Sequence, residues 1–232
     1  MDALSEVMLG RCRDSPFLRP LRVHYTQNGT RKYWDFMKTH DSVSVLIFNS
    51  TRESFILVKQ FRPAVYMCEC ARQGILPALM TTGDDSPESQ VPTELLPASA
   101  GVTYELCAGI VDKPGLSLQE IAKEEILEEC GYNVPAENLQ KITSYRSGVG
   151  VTGSKHTMFY VEVSDDLHVG SGGGEAKEGE LIEVVQVPVK DWQTFVFDEL
   201  IPKTAGVNFA FMWFHNNIIP QLQAAKCLSS SS

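Results

Sequence analysis

The chain has 232 residues, 43% hydrophobic and 21% charged, with a formal net charge of −9. Those values suit one sizeable globular domain with a real core, and the acidic balance disfavours polynucleotides and anionic membranes, so neither nucleic acid nor a membrane is expected as a partner. Residues 1–14 hold no apolar signal core, no apolar run reaches membrane-spanning length, and the six cysteines fall in no CxxC or Cys/His zinc pattern, which together predict a cytoplasmic protein with reduced thiols.

In chain order, residues 22–25 and 31–36 flank Asn28-Gly29, a two-residue hairpin signal. Residues 42–48 and 55–59 are β-rich around a polar turn at 49–53 and predict a second hairpin. The stretch 73–101 mixes Pro, Ser, Asp and Thr without apolar period and reads mostly as a long loop. Strands are expected at 102–107, 141–146, 157–163 and 183–187, the last ended by Pro188. A helix is expected at 118–130 and another at 205–219, with a Gly- and Glu-rich loop at 170–180. Strands dominate and no repeat is visible, which predicts an α+β sandwich with a mixed sheet. The expected organisation is an N-terminal hairpin segment at 1–38, a main domain at 39–220 and a flexible tail at 221–232.

The helix at 118–130 carries carboxylates where core residues belong. Ser117 and Glu120 form a capping box, and Gly131 stands where a left-handed cap ends the helix. At ~100° per residue from Leu118, Ala122 falls near +40°, Ile121 near −60° and Ile126 near +80°, which defines the buried arc. Glu125, at about −20°, and Glu129, at about +20°, sit in the middle of that arc, with Glu128 at its edge near −80°. An unpaired buried carboxylate is expensive, two of them one turn apart repel, and no Lys or Arg of this helix faces them. A solvated charge run accounts for Glu120 and Glu124 but not for this pair. A bound divalent cation resolves the conflict, because oxygen-rich clusters select Mg²⁺ and Mn²⁺.

The segment from Gly109 to Tyr132 resembles the Nudix box, G-x5-E-x7-R-E-U-x-E-E-x-G-U, where U is a bulky aliphatic residue. The C-terminal half matches as Glu125-Ile126-x-Glu128-Glu129-x-Gly131-Tyr132. The first half departs from it: one extra residue follows Gly109, Leu116 stands near the place of the early Glu, and Glu124 stands where Arg is usual. Val58-Lys-Gln-Phe-Arg-Pro63, Glu105-Leu-Cys-Ala-Gly109, Ser147-Gly148, Leu18-Arg-Pro-Leu-Arg22, Trp34-Asp-Phe-Met-Lys-Thr-His-Asp41 and Ile201-Pro-Lys-Thr204 are similar to the ADP-ribose and nucleotide-sugar pyrophosphatase branch of the family, over nearly the whole chain. The resemblance implies an α/β/α sandwich with a mixed sheet, N-terminal β-strands that build a homodimer, and Mg²⁺, with Mn²⁺ able to replace it, as cofactor. It implies hydrolysis of a nucleotide-sugar diphosphate, UDP-glucose to UMP and glucose 1-phosphate foremost. Two alternatives are ADP-ribose as substrate and a catalytically weak Nudix-fold binding module.

Site residues follow from both readings. Glu125 and Glu129 are expected to hold the metal, with Glu128 nearby, directly or through water. By resemblance the Ala108 carbonyl and Glu180 complete the set, and Arg62 contacts a substrate phosphate, for which its planar fork is suited. The general base must be a carboxylate off the metal, since a ligated one is a poor proton acceptor. Glu175, Glu178 and Glu180 follow Gly172-Gly-Gly174, a run read as hinge freedom for a closing lid. Flexibility favours Glu175, whereas the family pattern favours Glu178 as base. Gly148-Val-Gly150-Val-Thr-Gly153 matches GxGxxG but precedes a strand, so it reads as a Gly-rich turn beside the substrate and not as a dinucleotide fingerprint.

Overall fold

The computed structural model describes residues 4–9, 12, 15, 18–75, 89–90, 96–175, 177 and 179–229. The strands are β1 Met8–Leu9, β2 Arg19–Gln27, β3 Thr30–Lys38, β4 Ser42–Asn49, β5 Ser54–Phe61, β6 Ser89–Gln90, β7 Val102–Glu105, β8 Cys107–Ile110, β9 Gln140–Ser147, β10 Ser154–Val163 and β11 Ile182–Pro188. The helices are α1 Pro63–Arg72, α2 Leu118–Cys130, α3 Trp192–Phe197, α4 Ala205–Asn217 and α5 Ile219–Ser229.

Seven strands form the main sheet, in which β11, β5, β4, β10 and β9 lie side by side while β7 joins β5 and β8 joins β4. Only the pairing of β10 with β4 is parallel, so the sheet is mixed as expected. Alternation along the central strands sorts their side chains to two faces. Val43, Val45, Ile47, Ile56 and Val58 pack with Ile121, Ala122 and Ile126 of α2. Leu46, Phe48, Phe55 and Leu57 pack with Val207, Ala210, Phe211 and Phe214 of α4. Helices therefore cover both faces in an α/β/α sandwich, and each fully buried side chain of this size contributes roughly 1.5–3 kcal/mol.

The β4–β5 hairpin is a fork. Its strands pair only where residues 47–49 meet 54–56, and then they part. The chain from 102 to 110 fills the gap, β7 against β5 and β8 against β4. The single strand expected at 102–107 is accordingly broken at Leu106, a buried residue of the α4-side core. This break sets Glu105, Ala108 and Gly109 at the middle of the sheet, beside α2.

Three further elements differ from expectation. Helix α1, with Pro63 in its first turn, was not marked by apolar period; proline at a helix start is the signal that does mark it. Helix α3 is a two-turn connector whose Phe195 and Val196 are buried. The stretch 221–232, expected as a flexible tail, is helical as far as Ser229, with Ile219 and Leu222 packed against the α4-side core. Residues 76–88 and 91–95 of the expected loop lie outside the described residues.

The N-terminal hairpin, β2 with β3, forms a sheet of its own. Asn28 and Gly29 both have positive φ, 50° and 80°, as a twisted two-residue turn requires. The hairpin leans on the glycine-rich turn between β9 and β10: Trp34 Nε1 donates to the Gly150 carbonyl at 2.9 Å, and Met37 N donates to that of Val151 at 2.7 Å. That turn thus seats the hairpin. Among the described residues no helix is long and apolar enough to cross a membrane.

Candidate metal-assisted active site

Helix α2 starts on the expected capping box. Glu120 N donates to Ser117 Oγ at 3.2 Å, Ser117 N donates to Glu120 Oε2 at 2.7 Å, and the helix ends on left-handed Gly131. Fixing both ends fixes the rotation of the helix and therefore which glutamates face the sheet. Glu129 is only 5% exposed, Glu125 and Glu128 are half-buried, and Leu127 faces solvent, as the wheel predicts.

Glu129 Oε2 accepts a hydrogen bond from Ala108 N at 3.0 Å. Burial pushes its carboxyl up to about 8, opposed by the hydrogen bonds from Ala108 and the Cys107 thiol, with the charges of Glu125 and Glu180 adding to the rise. Burial also pushes Glu125 up to about 7; Glu128, Glu180 and Asp112 add to this and Lys113 opposes it. Glu128 is raised too, by burial first, and the charges of Glu175 and Glu180 contribute. Four carboxylates, Glu125, Glu128 and Glu129 of α2 and Glu180 of the connection from β10 to β11, therefore share one electrostatic neighbourhood in which negative charge outweighs the cations at its rim.

Gly109 leaves room for Glu125 in this packing. A methyl group there would coincide with the Glu125 carboxylate, which lies flat against the β8 backbone. Glycines of the connection from β10 to β11 are constrained as well, here by backbone. Gly173 N donates to the Glu129 carbonyl at 2.9 Å, Gly174 N to that of Glu128 at 3.1 Å, and a side chain at Gly172 would strike the Glu129 carbonyl. The run read as hinge freedom is instead a clasp that caps the last carbonyls of α2. Glu180 is anchored to it, its Oε2 accepting from Glu175 N at 3.0 Å. Glu178, the expected base, lies outside the described residues.

Two cations border the cluster. Arg62 caps the end of β5 and grips Glu105 with two bonds, Nε to Oε1 at 2.8 Å and Nη2 to Oε2 at 2.7 Å. Its guanidinium pKa is raised, chiefly by that pair and further by the charges of Glu129 and Glu180. Lys113, in the connection from β8 to α2, bonds Glu124 at 2.6 Å. Sequence reasoning assigned no role to Glu105, Gly109 or Lys113. A lone Glu in an apolar strand, as at 105, was the available signal for the first.

These residues fit a divalent cation. Glu125 and Glu129, held well above the ordinary carboxylate range, form no ion pair among the described residues, and hard oxygen donors of this kind select Mg²⁺ or Mn²⁺. Among the described residues no three acidic, imidazole or thiol groups close a cage by themselves. Mg²⁺ does not need one, since it keeps waters and takes one or two carboxylates plus substrate oxygens.

No family model matches the chain. It is 53% identical over 222 residues to the uridine diphosphate glucose pyrophosphatase NUDT14 of Bos taurus, covering 96% of this chain and 99% of that protein. It is 51% identical over 223 residues to the Mus musculus protein of the same name, with 96% and 99% covered. A GDP-mannose pyrophosphatase of Pectobacterium atrosepticum is 30% identical over 152 residues, 65% of this chain and 61% of that one.

Proposed function

Because the chain belongs to the Nudix hydrolases, in their nucleotide-sugar pyrophosphatase branch, we propose that it hydrolyses UDP-glucose with Mg²⁺, Mn²⁺ substituting, to UMP and glucose 1-phosphate. The observation that carries this reading is the pair of carboxylates, buried Glu129 and half-buried Glu125, set one turn apart against the backbone of Ala108 and Gly109. Glu125, Glu129, Glu180 and the Ala108 carbonyl would hold the metal, with Glu128 beside them. The metal, when bound, neutralises phosphoryl charge and lowers the pKa of an attacking water.

The chain's own residues supply the remaining functions. Arg62 contacts a phosphate and holds the diphosphate against the cluster. Glu178 takes the proton of the attacking water, from a loop whose base is fixed by the clasp on α2. One water adds across the phosphoanhydride, one P–O bond breaks, and both products leave as phosphate monoesters. The hairpin segment 1–38 joins two copies into a homodimer, and 39–220 forms the catalytic domain. Leu21, Val23, Tyr25, Trp34 and Phe36 share one face of the hairpin by register, and four of them are markedly exposed. The thiols of Cys68, Cys70, Cys107 and Cys130, none of them in a disulfide, fit a reducing, cytoplasmic setting.

The test is a panel of UDP-sugars, GDP-mannose, ADP-ribose and ADP-sugars with Mg²⁺, products identified. UMP and glucose 1-phosphate from UDP-glucose at the highest kcat/KM is expected. No turnover of any member would leave a binding module, and preference for ADP-ribose would overturn the substrate assignment.

A further inference from the structure

We propose that Glu105 is a positioning residue for the substrate diphosphate, acting through Arg62. The inference rests on the reading above and deepens it. Glu105 is a carboxylate only 9% exposed, in the strand that leads into Ala108, so a metal-ligand role is the obvious alternative. The hydrogen bonds favour a clamp on Arg62 instead. Both oxygens are occupied, by Nε and Nη2 of Arg62, and Oε1 also accepts from Thr103 Oγ1 at 2.6 Å.

Glu105 is therefore bound to the guanidinium. A guanidinium carries five donors in a rigid plane. With the Nε/Nη2 edge clamped, the Nη1 donors remain for a ligand; among the described residues no hydrogen-bond partner takes them. Arg62 also stands within the field of Glu129 and Glu180. Without the clamp, its long side chain would sample many rotamers and would have to be ordered again each time substrate binds. Glu105 holds the positive charge near the cluster but off it, oriented for the phosphate oxygens that the metal leaves unmatched. The clamp also removes the ordering cost that a free arginine would incur on binding.

The experiment uses the full chain with Mg²⁺ and UDP-glucose. Glu105→Gln is expected to raise KM by ~10–100-fold while kcat changes by less than about threefold, the pattern of lost ground-state binding. Arg62→Lys keeps the charge and loses the fork, so it should behave alike, and the double variant should be no worse than Arg62→Lys alone. Glu105→Asp should recover part of the loss. Mn²⁺ affinity without substrate should be unchanged in Glu105→Gln. KM within about twofold of wild type, Mn²⁺ affinity falling in step, or multiplying effects in the double variant would each overturn the proposal. If the wild type does not hydrolyse UDP-glucose, the substrate reading fails. The clamp is then decided by calorimetry with inorganic pyrophosphate and Mg²⁺, where Glu105→Gln should bind about tenfold more weakly and equal binding refutes it.

Discussion

Substituting Glu129 by Gln isolates the energetic cost of a charge in the core. Glutamine keeps the shape and an oxygen for the Ala108 N–H, but carries no charge. In the metal-free fold Glu129 titrates at about 8, against an ordinary value of about 4.5. A raised folded pKa means that the native state holds its proton while the unfolded chain has already lost it. Stability is therefore full below about pH 4.5 and falls as pH climbs toward 8. Integrated from pH 5 to pH 8, the loss is on the order of 3 kcal/mol. For a chain of this size that is roughly 6–12 °C in Tm. Thermal unfolding in EDTA should find Glu129→Gln more stable than wild type by about that much at pH 8, with the gap nearly closed at pH 5. Mg²⁺ or Mn²⁺ should then raise the wild type and not the variant, which should lose more than nine-tenths of its hydrolysis, about 1.4 kcal/mol or more in transition-state terms. If the variant is the less stable protein at both pH values, Glu129 is an accepted anion in the metal-free core and the argument from burial is wrong.

Other predictions concern the residues around it. Gly109→Ala should displace the Glu125 carboxylate and weaken Mn²⁺ binding by ~10–100-fold with unchanged circular dichroism; unchanged Mn²⁺ affinity would remove Glu125 from the ligand set. Glu178→Gln should lower kcat by about 10²–10⁴-fold with substrate still bound, and Glu175→Gln by less than about threefold; the reverse order would move the base to Glu175, whose charge already reaches Glu128. Val23→Glu, in the middle of the apolar hairpin face, should convert a dimer to a monomer in light scattering, and a wild type that is monomeric at micromolar concentration would refute the hairpin interface.

What was legible in the sequence was whatever depends on local period and short-range chemistry. The capping box and Gly131 fixed the ends of α2, so a wheel alone placed Glu125 and Glu129 toward the sheet. Asn28-Gly29 announced its hairpin because only a few residue types accept two positive φ values in succession. What escaped is what tertiary contact decides. Nothing in residues 102–107 shows that the chain breaks at Leu106, since the break answers to a fork made by two other strands. Apart from the Thr103 hydroxyl, Glu105 has no local partner, and Arg62, forty-three positions earlier, meets it only through the register of β5 with β7. The glycine run misled for a related reason. Three consecutive glycines fit free motion and fit close backbone approach equally well, and only the carbonyls of Glu128 and Glu129 tell the two apart.

The same distinction bears on Glu124, which stands where the family pattern has an arginine. Read on the helix alone, the change removes the one cation beside the metal-binding glutamates and adds a fourth negative charge. In three dimensions Lys113 reaches across from the preceding connection and pairs with Glu124 at 2.6 Å. Its charge opposes the rise in pKa of both Glu125 and Glu128. The positive charge is thus supplied from the loop, and Glu124 serves as its anchor. Both partners are substantially exposed, so the pair itself adds little to stability. Its effect is local: it holds an ammonium beside carboxylates that must stay ionised to receive a metal, without bonding to the ligands themselves. The departure from the pattern at Glu124 therefore does not by itself argue for a silent binding module. The extra residue after Gly109 lengthens the connection on which Lys113 sits, so the two departures belong to one local rearrangement of charge.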